Sequence, residues 1–280
     1  MAVVARYRPR TMSDCLALRG VSKSYTAGIR GCSATVRVLR DVDLDVAAGE
    51  FVGVHAAPAS GKSTLLMCAA GLLRPDRGSV SWFGGVSRRD GTTPSGISYV
   101  SDRPFPYAFL SVREAVEYAA IVRDLPLADH AARVSETLEH TSLSAVSHRR
   151  VDALDGAQLS RLALASALLS RPRLLLVDDL GSGCDAGGAR DLLILLRCAA
   201  ADGAGVLIAG RLVPWLEADE PLHGAHTRTR CVALVDGRIE PAPQLPTAGA
   251  RPITASLAAA RVAEWSSPPP PAAGAPPSAP

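Results

Sequence analysis

The chain has 280 residues, of which 48% are hydrophobic, enough for one sizeable α/β domain or two small ones. Its net charge of +3 and its scattered basic residues argue against a nucleic-acid-binding protein. Six widely spaced cysteines without a Cys-x-x-Cys pair argue against a disulfide framework or a zinc site. Because every apolar run is shorter than the about 18–20 residues of a membrane span, we predict a soluble protein.

The two ends of the chain differ in composition from the part between them. Residues 1–12 contain no apolar segment followed by a cleavage site, so we predict an unstructured extension without a signal peptide; both Met1 and Met12 remain open as the start of translation. Residues 241–280 hold 11 of the 21 prolines, a composition that does not form a packed core. We predict a disordered Pro/Ala-rich tail there, with a partner-docking segment as the alternative, and a folded domain over residues 13–240.

Alternating apolar and polar residues predict strands in the first third of the chain. The segments CLALRGVSKSY and VRVLRDVDLDV have a period of two, and the short apolar segment EFVGVH follows them. SVSWFGG and GISYVS predict two further strands. These segments predict a strand-rich N-terminal region.

Between about residues 103 and 171 the pattern becomes helical. SVREAVEYAAIVRD begins with Ser111 and Glu114, which have the spacing of a capping box. ADHAARVSETLEH predicts an amphipathic helix, and DGAQLSRLALASALLS a third helix that is apolar on most sides and therefore buried.

The remaining segments predict a buried parallel sheet. RLLLVDD and AGVLIAG are the continuous apolar runs typical of strands covered on both faces, and the helical segment DLLILLRCAAADG separates them. CVALVDGRIE predicts a hairpin that turns at Asp236 and Gly237.

A phosphate-binding loop is predicted where EFVGVH leads into the helical segment STLLMCAAGLL, which we expect to begin at Ser63. In such a loop the backbone N–H groups and the helix N-terminus hold phosphate oxygens, Lys62 reaches the β- and γ-phosphates, and the Ser63 hydroxyl ligates Mg²⁺. Lys62 is one of only two lysines among 30 basic residues, and a compact ammonium suits the crowded space between phosphates. The predicted phosphate-binding residues are Ala59, Ser60, Gly61, Lys62, Ser63 and Thr64.

Two alanines, Ala56 and Ala59, stand where such a loop has glycines. A Cβ in a left-handed conformation costs roughly 1 kcal/mol, so we expect strain at both positions and nucleotide binding that survives in weakened form. Farther along, Asp178 ends an apolar strand, where it would hold Mg²⁺ through water, and Asp179 would orient an attacking water. Without the loop, this pair of aspartates would indicate a helix cap or a turn.

The chain resembles the nucleotide-binding subunit of ATP-binding cassette (ABC) transporters. LDGAQLSR is similar to that family's signature L-S-G-G-Q-x-Q-R and begins 24 residues before Asp178. DDLGSGCD is similar to D-E-P-T-S-G-L-D, which makes Asp185 the D-loop aspartate, and VSKSY places Tyr25 where the family stacks an aromatic ring on adenine. The resemblance implies an α/β P-loop NTPase of the ABC type, with a mainly parallel sheet core, an N-terminal antiparallel β subdomain and a helical subdomain at about 103–171.

The chain departs from the family's motifs at the positions expected to act in hydrolysis. Asp179 replaces the catalytic glutamate, Arg211 the switch histidine and Asp102 the glutamine of the Q-loop, which contacts the permease. Asp155 replaces the signature serine that faces the γ-phosphate bound by the opposite subunit, and two unit charges 4 Å apart at an effective dielectric of 20 repel by about 4 kcal/mol. Asp155 and Gln158 also fit a helix capping box. The signature residues are Asp155, Gly156, Ala157 and Gln158.

The resemblance implies an ATP- and Mg²⁺-binding subunit that couples to a permease on a separate chain and pairs with a second nucleotide-binding subunit, in a homodimer or a heterodimer. We expect weak or partner-dependent hydrolysis and a cytoplasmic location at the inner face of the membrane. The alternative is a regulatory module that binds ATP without turnover. A P-loop kinase is disfavoured by the LDGAQLSR segment.

Overall fold

The computed structural model describes residues 14–29, 32–85, 94–101, 107–181, 183–210, 212–213 and 228–241. The predicted extension and nearly all of the predicted tail lie outside these residues, as do Asp102 and Arg211.

An antiparallel sheet forms the N-terminal part of the described chain. It contains strands β1 (Asp14–Ile29), β2 (Cys32–Ala47) and β4 (Arg77–Trp82) in the order β2-β1-β4. The period of two along β1 and β2 directs alternate apolar side chains into the core, and the register pairs Leu18 with Leu44. The predicted antiparallel subdomain is confirmed, and two further predicted strands of this region, EFVGVH and GISYVS, belong to the second sheet.

The second sheet has six strands, whose residue ranges are given at the end of this paragraph, in the order β5-β6-β7-β3-β8-β9. All neighbouring strands are parallel except the last pair, β8 and β9, which form the predicted hairpin with its turn at Asp236 and Gly237. Strands β6 and β7 are buried along their whole length, as their continuous apolar sequences predict. The strands are β3 (Glu50–His55), β5 (Ile97–Ser101), β6 (Leu174–Asp178), β7 (Gly205–Ala209), β8 (Arg228–Val235) and β9 (Arg238–Pro241).

Helices cover both faces of the parallel sheet. One apolar cluster joins α1 (Lys62–Ala69) to the antiparallel sheet, and another packs α5 (Ala186–Ala201) against β6 and β7. A third cluster joins α2 (Val112–Val122), α3 (Leu127–His140) and α4 (Gly156–Leu168). Helix α4 contributes to the second and third clusters, which explains why its sequence is apolar on most sides.

The helix ends follow local sequence chemistry, with two corrections: α5 begins at Ala186, five residues before the predicted DLLILLRCAAADG segment, and α1 differs at both ends. The predicted capping boxes of α2 and α4 are both present. Helix α1, however, begins at Lys62 rather than Ser63 and ends at Ala69, short of the predicted run. Gly71, with φ of 74°, ends it in a Schellman motif in which the N–H of Leu72 donates to the Met67 carbonyl at 3.0 Å. No helix in the described part of the chain is long and apolar enough to cross a membrane.

Candidate functional site

The site is a cavity at the carboxyl ends of three neighbouring parallel strands. In the sheet register Val54 of β3 and Asp178 of β6 both lie opposite Ala209 of β7, so the loops that follow these strands meet at one edge. The cavity has a volume of about 690 Å³. It is lined by Val38, Ala56, Pro58, Ala59, Gly61, Lys62, Ser63, Thr64, Asp178, Asp179 and Gly210.

The loop between β3 and α1 takes the turn of a phosphate-binding loop with one strained residue. Gly61 has φ of 101°, and a Cβ there would lie 2.6 Å from Cγ1 of Val38, so only glycine fits. Ala59 has φ of 60°, a left-handed conformation that costs an alanine roughly 1 kcal/mol. The φ of Ala56 is not positive, and its side chain packs against the core. The strain predicted at Ala56 is therefore wrong, whereas the strain at Ala59 is confirmed.

The Lys62 ammonium lies across this loop. Its Nζ donates to the carbonyl oxygens of Ala57 at 3.1 Å and Ala56 at 3.4 Å. Because its partners among the described residues are neutral carbonyls, Lys62 can exchange these bonds for stronger, charge-assisted bonds to an anion. Next to it, Ser60 Oγ is buried and has no hydrogen-bond partner among the described residues.

Asp178 brings a second incompletely bonded group to the cavity. Its side chain is 6% exposed, and Oδ2 accepts a hydrogen bond from the Tyr99 hydroxyl at 2.8 Å. Within the described residues Oδ1 has no hydrogen-bond partner. Buried polar atoms are almost always bonded, so Oδ1 of Asp178, a residue that lines the cavity, indicates a missing ligand.

The donor set fits Mg²⁺ that is shared with a ligand. Ser63 is exposed, and it lines the same cavity as Asp178. No group of three or more His, Cys, Asp or Glu side chains converges on one point in the described chain. A cation held by so few protein oxygens completes its shell with water and phosphate, which is the usual arrangement for Mg²⁺.

Asp179 is fixed by its backbone at the edge of the cavity. Its N–H donates to the Ala209 carbonyl at 2.8 Å, and its φ is 53°, a conformation that aspartate tolerates better than most residues. Gly210 lies against it, since a Cβ at position 210 would be 2.5 Å from Oδ1 of Asp179. The tight turn thus sets the direction of the carboxylate.

Tyr25 lies in β1 beside the loop, with its side chain 42% exposed. Its hydroxyl lies 3.4 Å from Oγ1 of Thr64, and its partner in the register of β2 is Val36, which is 60% exposed. Sequence reasoning missed Val36 and Val38. The two valines are two residues apart in a segment of period two, so they lie on the same face of β2, and Val36 pairs with Tyr25. This spacing is the sequence signal that could have identified them.

A salt bridge anchors the strand that carries Tyr25. Lys23 Nζ lies 2.8 Å from Asp76, whose other oxygen accepts from the Ser24 N–H at 2.7 Å. The hydrogen bond from the Lys23 side chain holds the pKa of the Asp76 carboxyl below its usual value. Lys23, the other lysine of the chain, therefore stabilises the position of β1 through its salt bridge to Asp76.

The signature residues lie outside the lining of this cavity. Asp155 accepts from the Gln158 N–H at 2.8 Å, and its own N–H donates to Oε1 of Gln158 at 3.2 Å. Asp185 likewise caps α5, accepting from the Gly188 N–H at 2.8 Å. Gly188 approaches α4, since a Cβ there would lie 3.2 Å from Cβ of Ala157. The structure thus shows two distinct regions: the cavity lined by the phosphate-binding loop, Asp178 and Asp179, and the capped N-terminal ends of α4 and α5.

Two cysteines, one in α1 and one before α5, have side chains that pack against neighbouring residues. Cys68 lies on the buried side of α1, and burial raises the pKa of its thiol to about 11. Cys184 lies between α4 and α5, where burial also raises its thiol pKa. Both remain protonated at neutral pH, which argues against a thiolate nucleophile.

Comparison with known proteins gives one consistent match. The family model described as "ABC transporter" matches residues 39–181. The chain is 31% identical over 235 residues to the macrolide export ATP-binding/permease protein MacB 1/2 of Paracoccus denitrificans (strain Pd 1222), covering 82% of this chain and 33% of that protein. It is 38% identical over 191 residues to the methionine import ATP-binding protein MetN of Myxococcus xanthus (strain DK1622), covering 65% and 56%. The chain thus spans between about a third and just over half of the length of these relatives.

Solved structures agree on the fold. A structure described as the ATP binding subunit of an ABC transporter shares 26% identity with a TM-score of 0.65, covering 80% of this chain and 88% of its own. A dimeric post-hydrolysis structure of the ATP-binding cassette MJ0796, bound to ADP and Pi, shares 24% identity with a TM-score of 0.64, covering 80% and 96%.

Proposed function

The chain belongs to the family of ABC transporter ATP-binding proteins, and from this premise we propose that it binds Mg²⁺-ATP in the cavity between β3, β6 and β7 as the nucleotide-binding subunit of a transporter. One observation carries the proposal. A buried oxygen atom, Asp178 Oδ1, has no partner among the described residues and belongs to a residue that lines the cavity together with Lys62 and Ser63 of the loop. Mg²⁺ bound to a phosphate chain would supply the partner that this atom lacks.

Each part of ATP meets a matching group. Phosphate oxygens would be bound by the N–H groups of Ala59 and of residues 61–64 and by the ammonium of Lys62, whereas the Ser60 N–H donates to the Ala57 carbonyl at 3.2 Å. The exposed ring of Tyr25, with Val36 beside it, offers the base a flat apolar surface. Ser63 and Asp178 would hold Mg²⁺, which would neutralise the charge that develops on the phosphates.

Hydrolysis would be weak, because the groups around the γ-phosphate are altered. Asp179 keeps a carboxylate to orient water, but its side chain is one methylene shorter than glutamate, and misplacement of about 1 Å can cost around 10²-fold in rate. Arg211 would hold the γ-phosphate with a permanent charge and cannot accept a proton as a neutral histidine does.

Pairing with a second subunit follows from the position of the signature residues. Residues 155–158 lie outside the cavity that holds the loop, so a signature would have to reach a nucleotide from another subunit. In a homodimer both nucleotide sites would combine the altered Asp179 with the altered Asp155. In a heterodimer with an intact partner, each site would carry only part of these changes, and we favour this arrangement.

The permease would dock on the helical region. The described part of this region exposes apolar side chains around α2, with Phe109 64% exposed and Ile121 and Val122 both 62% exposed. In the chain, Phe109 comes seven residues after Asp102, whose segment the family uses to contact its permease. A cytoplasmic subunit bound to the inner face of the membrane through this surface is the location we propose.

Phosphate release by the purified protein tests the proposal of weak hydrolysis. We expect slow release of phosphate from Mg²⁺-ATP that increases with the permease or a second subunit. Asp179→Glu should increase it further if the turn around position 179 accepts the longer side chain. Asp202→Glu is the matched control, because it lengthens an aspartate at the C-terminal end of α5, outside the lining of the cavity.

A regulatory module that binds ATP without turnover is the second candidate. The capping role of Asp155 favours it, because a carboxylate fixed at the start of α4 would repel a partner's γ-phosphate. ATP binding with no phosphate release, alone or with partners, and no gain from Asp179→Glu would establish this second function instead.

A further inference from the structure

The hydroxyl of Tyr99 is hydrogen-bonded to the carboxylate of Asp178. Tyr99 lies in β5 opposite Leu176 of β6, so Asp178 is its diagonal neighbour on the same face of the sheet. Side chains at such positions are within reach of an aromatic residue. Oη of Tyr99 donates to Oδ2 of Asp178 at 2.8 Å, although 79 residues separate the two in the chain.

The position of this hydroxyl is itself set by packing. The ring of Tyr99 packs against the apolar cluster that joins α1 to the antiparallel sheet. In contrast, the terminal torsion of an aspartate has a broad energy well and does not select one orientation of its two oxygens. A fixed donor beside a rotatable carboxylate therefore decides which oxygen is engaged and which remains open.

We propose that Tyr99 is a positioning residue that binds one oxygen of Asp178, so that the other, Oδ1, faces the cavity and receives Mg²⁺ or its bound water. The inference rests on the proposed binding of Mg²⁺-ATP. Hydrogen-bonded partners of metal-binding carboxylates hold the ligand in place and typically change metal affinity by about 10- to 100-fold when removed. This arrangement is expected to leave Oδ1 without a protein partner, and Oδ1 is indeed buried with no hydrogen-bond partner among the described residues.

The direct test measures how much Mg²⁺ strengthens ATP binding. ATP affinity is determined by calorimetry in EDTA and across a Mg²⁺ titration, for the unaltered protein and for Tyr99→Phe, which keeps the ring and removes only the hydroxyl. We expect the strengthening by Mg²⁺ to fall about tenfold in the variant, with its affinity in EDTA unchanged. Tyr107→Phe is the matched control, since it also removes a tyrosine hydroxyl that is hydrogen-bonded, at 3.1 Å to Tyr118.

A double-mutant cycle shows whether the hydroxyl acts through Asp178. In the Asp178→Asn background, Tyr99→Phe should have little further effect on the Mg²⁺ dependence, because the charged oxygen that it orients is gone. Tyr99→Met is a second way to remove the hydroxyl while retaining an apolar side chain. It should reproduce the result of Tyr99→Phe.

Three outcomes overturn the inference. The first is an unchanged Mg²⁺ dependence in Tyr99→Phe, and the second is an equal loss of ATP affinity with and without Mg²⁺, which indicates a structural effect. The third is failure of both Tyr99→Phe and Tyr99→Met to fold, which makes the hydroxyl a requirement of the fold. Failure of the proposed function is distinguishable from all three, because the unaltered protein would then bind no ATP under either condition.

Discussion

The phosphate-binding loop and the start of α4 are two loop-to-helix turns that use their polar groups in opposite ways. Around the loop, Ser60 Oγ and Asp178 Oδ1 lack hydrogen-bond partners among the described residues. There the Lys62 ammonium donates hydrogen bonds to two loop carbonyls. At the start of α4, Asp155 and Gln158 bond each other's backbone in a complete capping box. The first turn keeps its polar groups open for a ligand, whereas the second uses them to form its own helix.

This difference teaches that departures from a family motif have unequal effects. The alanine at position 59 adds strain to the loop but leaves the N–H groups after it in place. The aspartate at position 155 keeps α4 well capped while placing negative charge where a partner's phosphate would bind. We therefore expect nucleotide binding to survive better than nucleotide-dependent pairing.

The largest effect is expected from Gly61→Ala. The new Cβ would meet Cγ1 of Val38 at 2.6 Å in addition to the left-handed φ, so the loop must rearrange. We expect ATP affinity measured by calorimetry to fall more than about tenfold, since 1.4 kcal/mol of strain already has that effect. Gly203→Ala is the control, because its φ is 96° but a Cβ there meets nothing within 4 Å. Unaltered ATP binding by Gly61→Ala would contradict the described loop.

Asp155→Ser should have the next largest effect, on self-association. Removing the carboxylate relieves a repulsion of about 1 kcal/mol in water and about 4 kcal/mol at an effective dielectric of 20. We expect ATP-dependent dimerisation, measured by sedimentation, to strengthen about tenfold or more. Asp152→Ser removes the same charge from a residue paired with Arg150 and should leave dimerisation unchanged. Equal behaviour of the two variants would show that Asp155 does not face a phosphate.

The capping role of Asp155 predicts a smaller effect on stability. Asp155→Ala should lower the free energy of unfolding by about 1 kcal/mol, because the Gln158 N–H loses its acceptor. Ser111→Ala should cost a similar amount at the equivalent position of α2. Asp155→Ser retains a cap and should change stability by only a few tenths of a kcal/mol. Chemical denaturation measures all three, and an undiminished stability of Asp155→Ala would remove the structural reason for this aspartate.

The smallest effects come from two alanines that replace family glycines, and their signs should differ. Ala59→Gly relieves a left-handed Cβ, which outweighs the greater flexibility of the unfolded chain, so we expect stability to rise by up to about 0.5 kcal/mol. Ala157→Gly puts glycine into the first turn of α4 and should destabilise by up to about 1 kcal/mol. Thermal unfolding compares them, and the same sign for both would contradict the assigned strain at Ala59.

The sequence predicts those parts of the molecule that depend on neighbouring residues. The period of two in β1 and β2, the continuous apolar runs of β6 and β7, and both capping boxes are visible in short segments and are confirmed. Tertiary arrangement decides the rest. The bond between Tyr99 and Asp178 depends on the pairing of two strands distant in the chain, and no local pattern encodes it.

Backbone conformation was the second feature beyond sequence reasoning. Ala56 and Ala59 look equivalent as replacements for glycine, but of the two only Ala59, which lies in the middle of the loop, has a positive φ; Ala56 directly follows β3. The proposed roles of Asp102 and Arg211 lie outside the described residues and stay predictions.

Calorimetric titration of the protein with ATP in the presence of Mg²⁺, alongside Lys62→Ala, probes the nucleotide cavity most directly. We predict saturable heat for the unaltered protein and a loss of affinity of at least about tenfold for Lys62→Ala, since hydrogen bonds to charged groups contribute about 1.5–3 kcal/mol. Lys23→Ala, which removes the other lysine from its bridge to Asp76, should affect ATP binding less. No heat with the unaltered protein, or equal binding by Lys62→Ala, would contradict the assignment of this cavity to ATP.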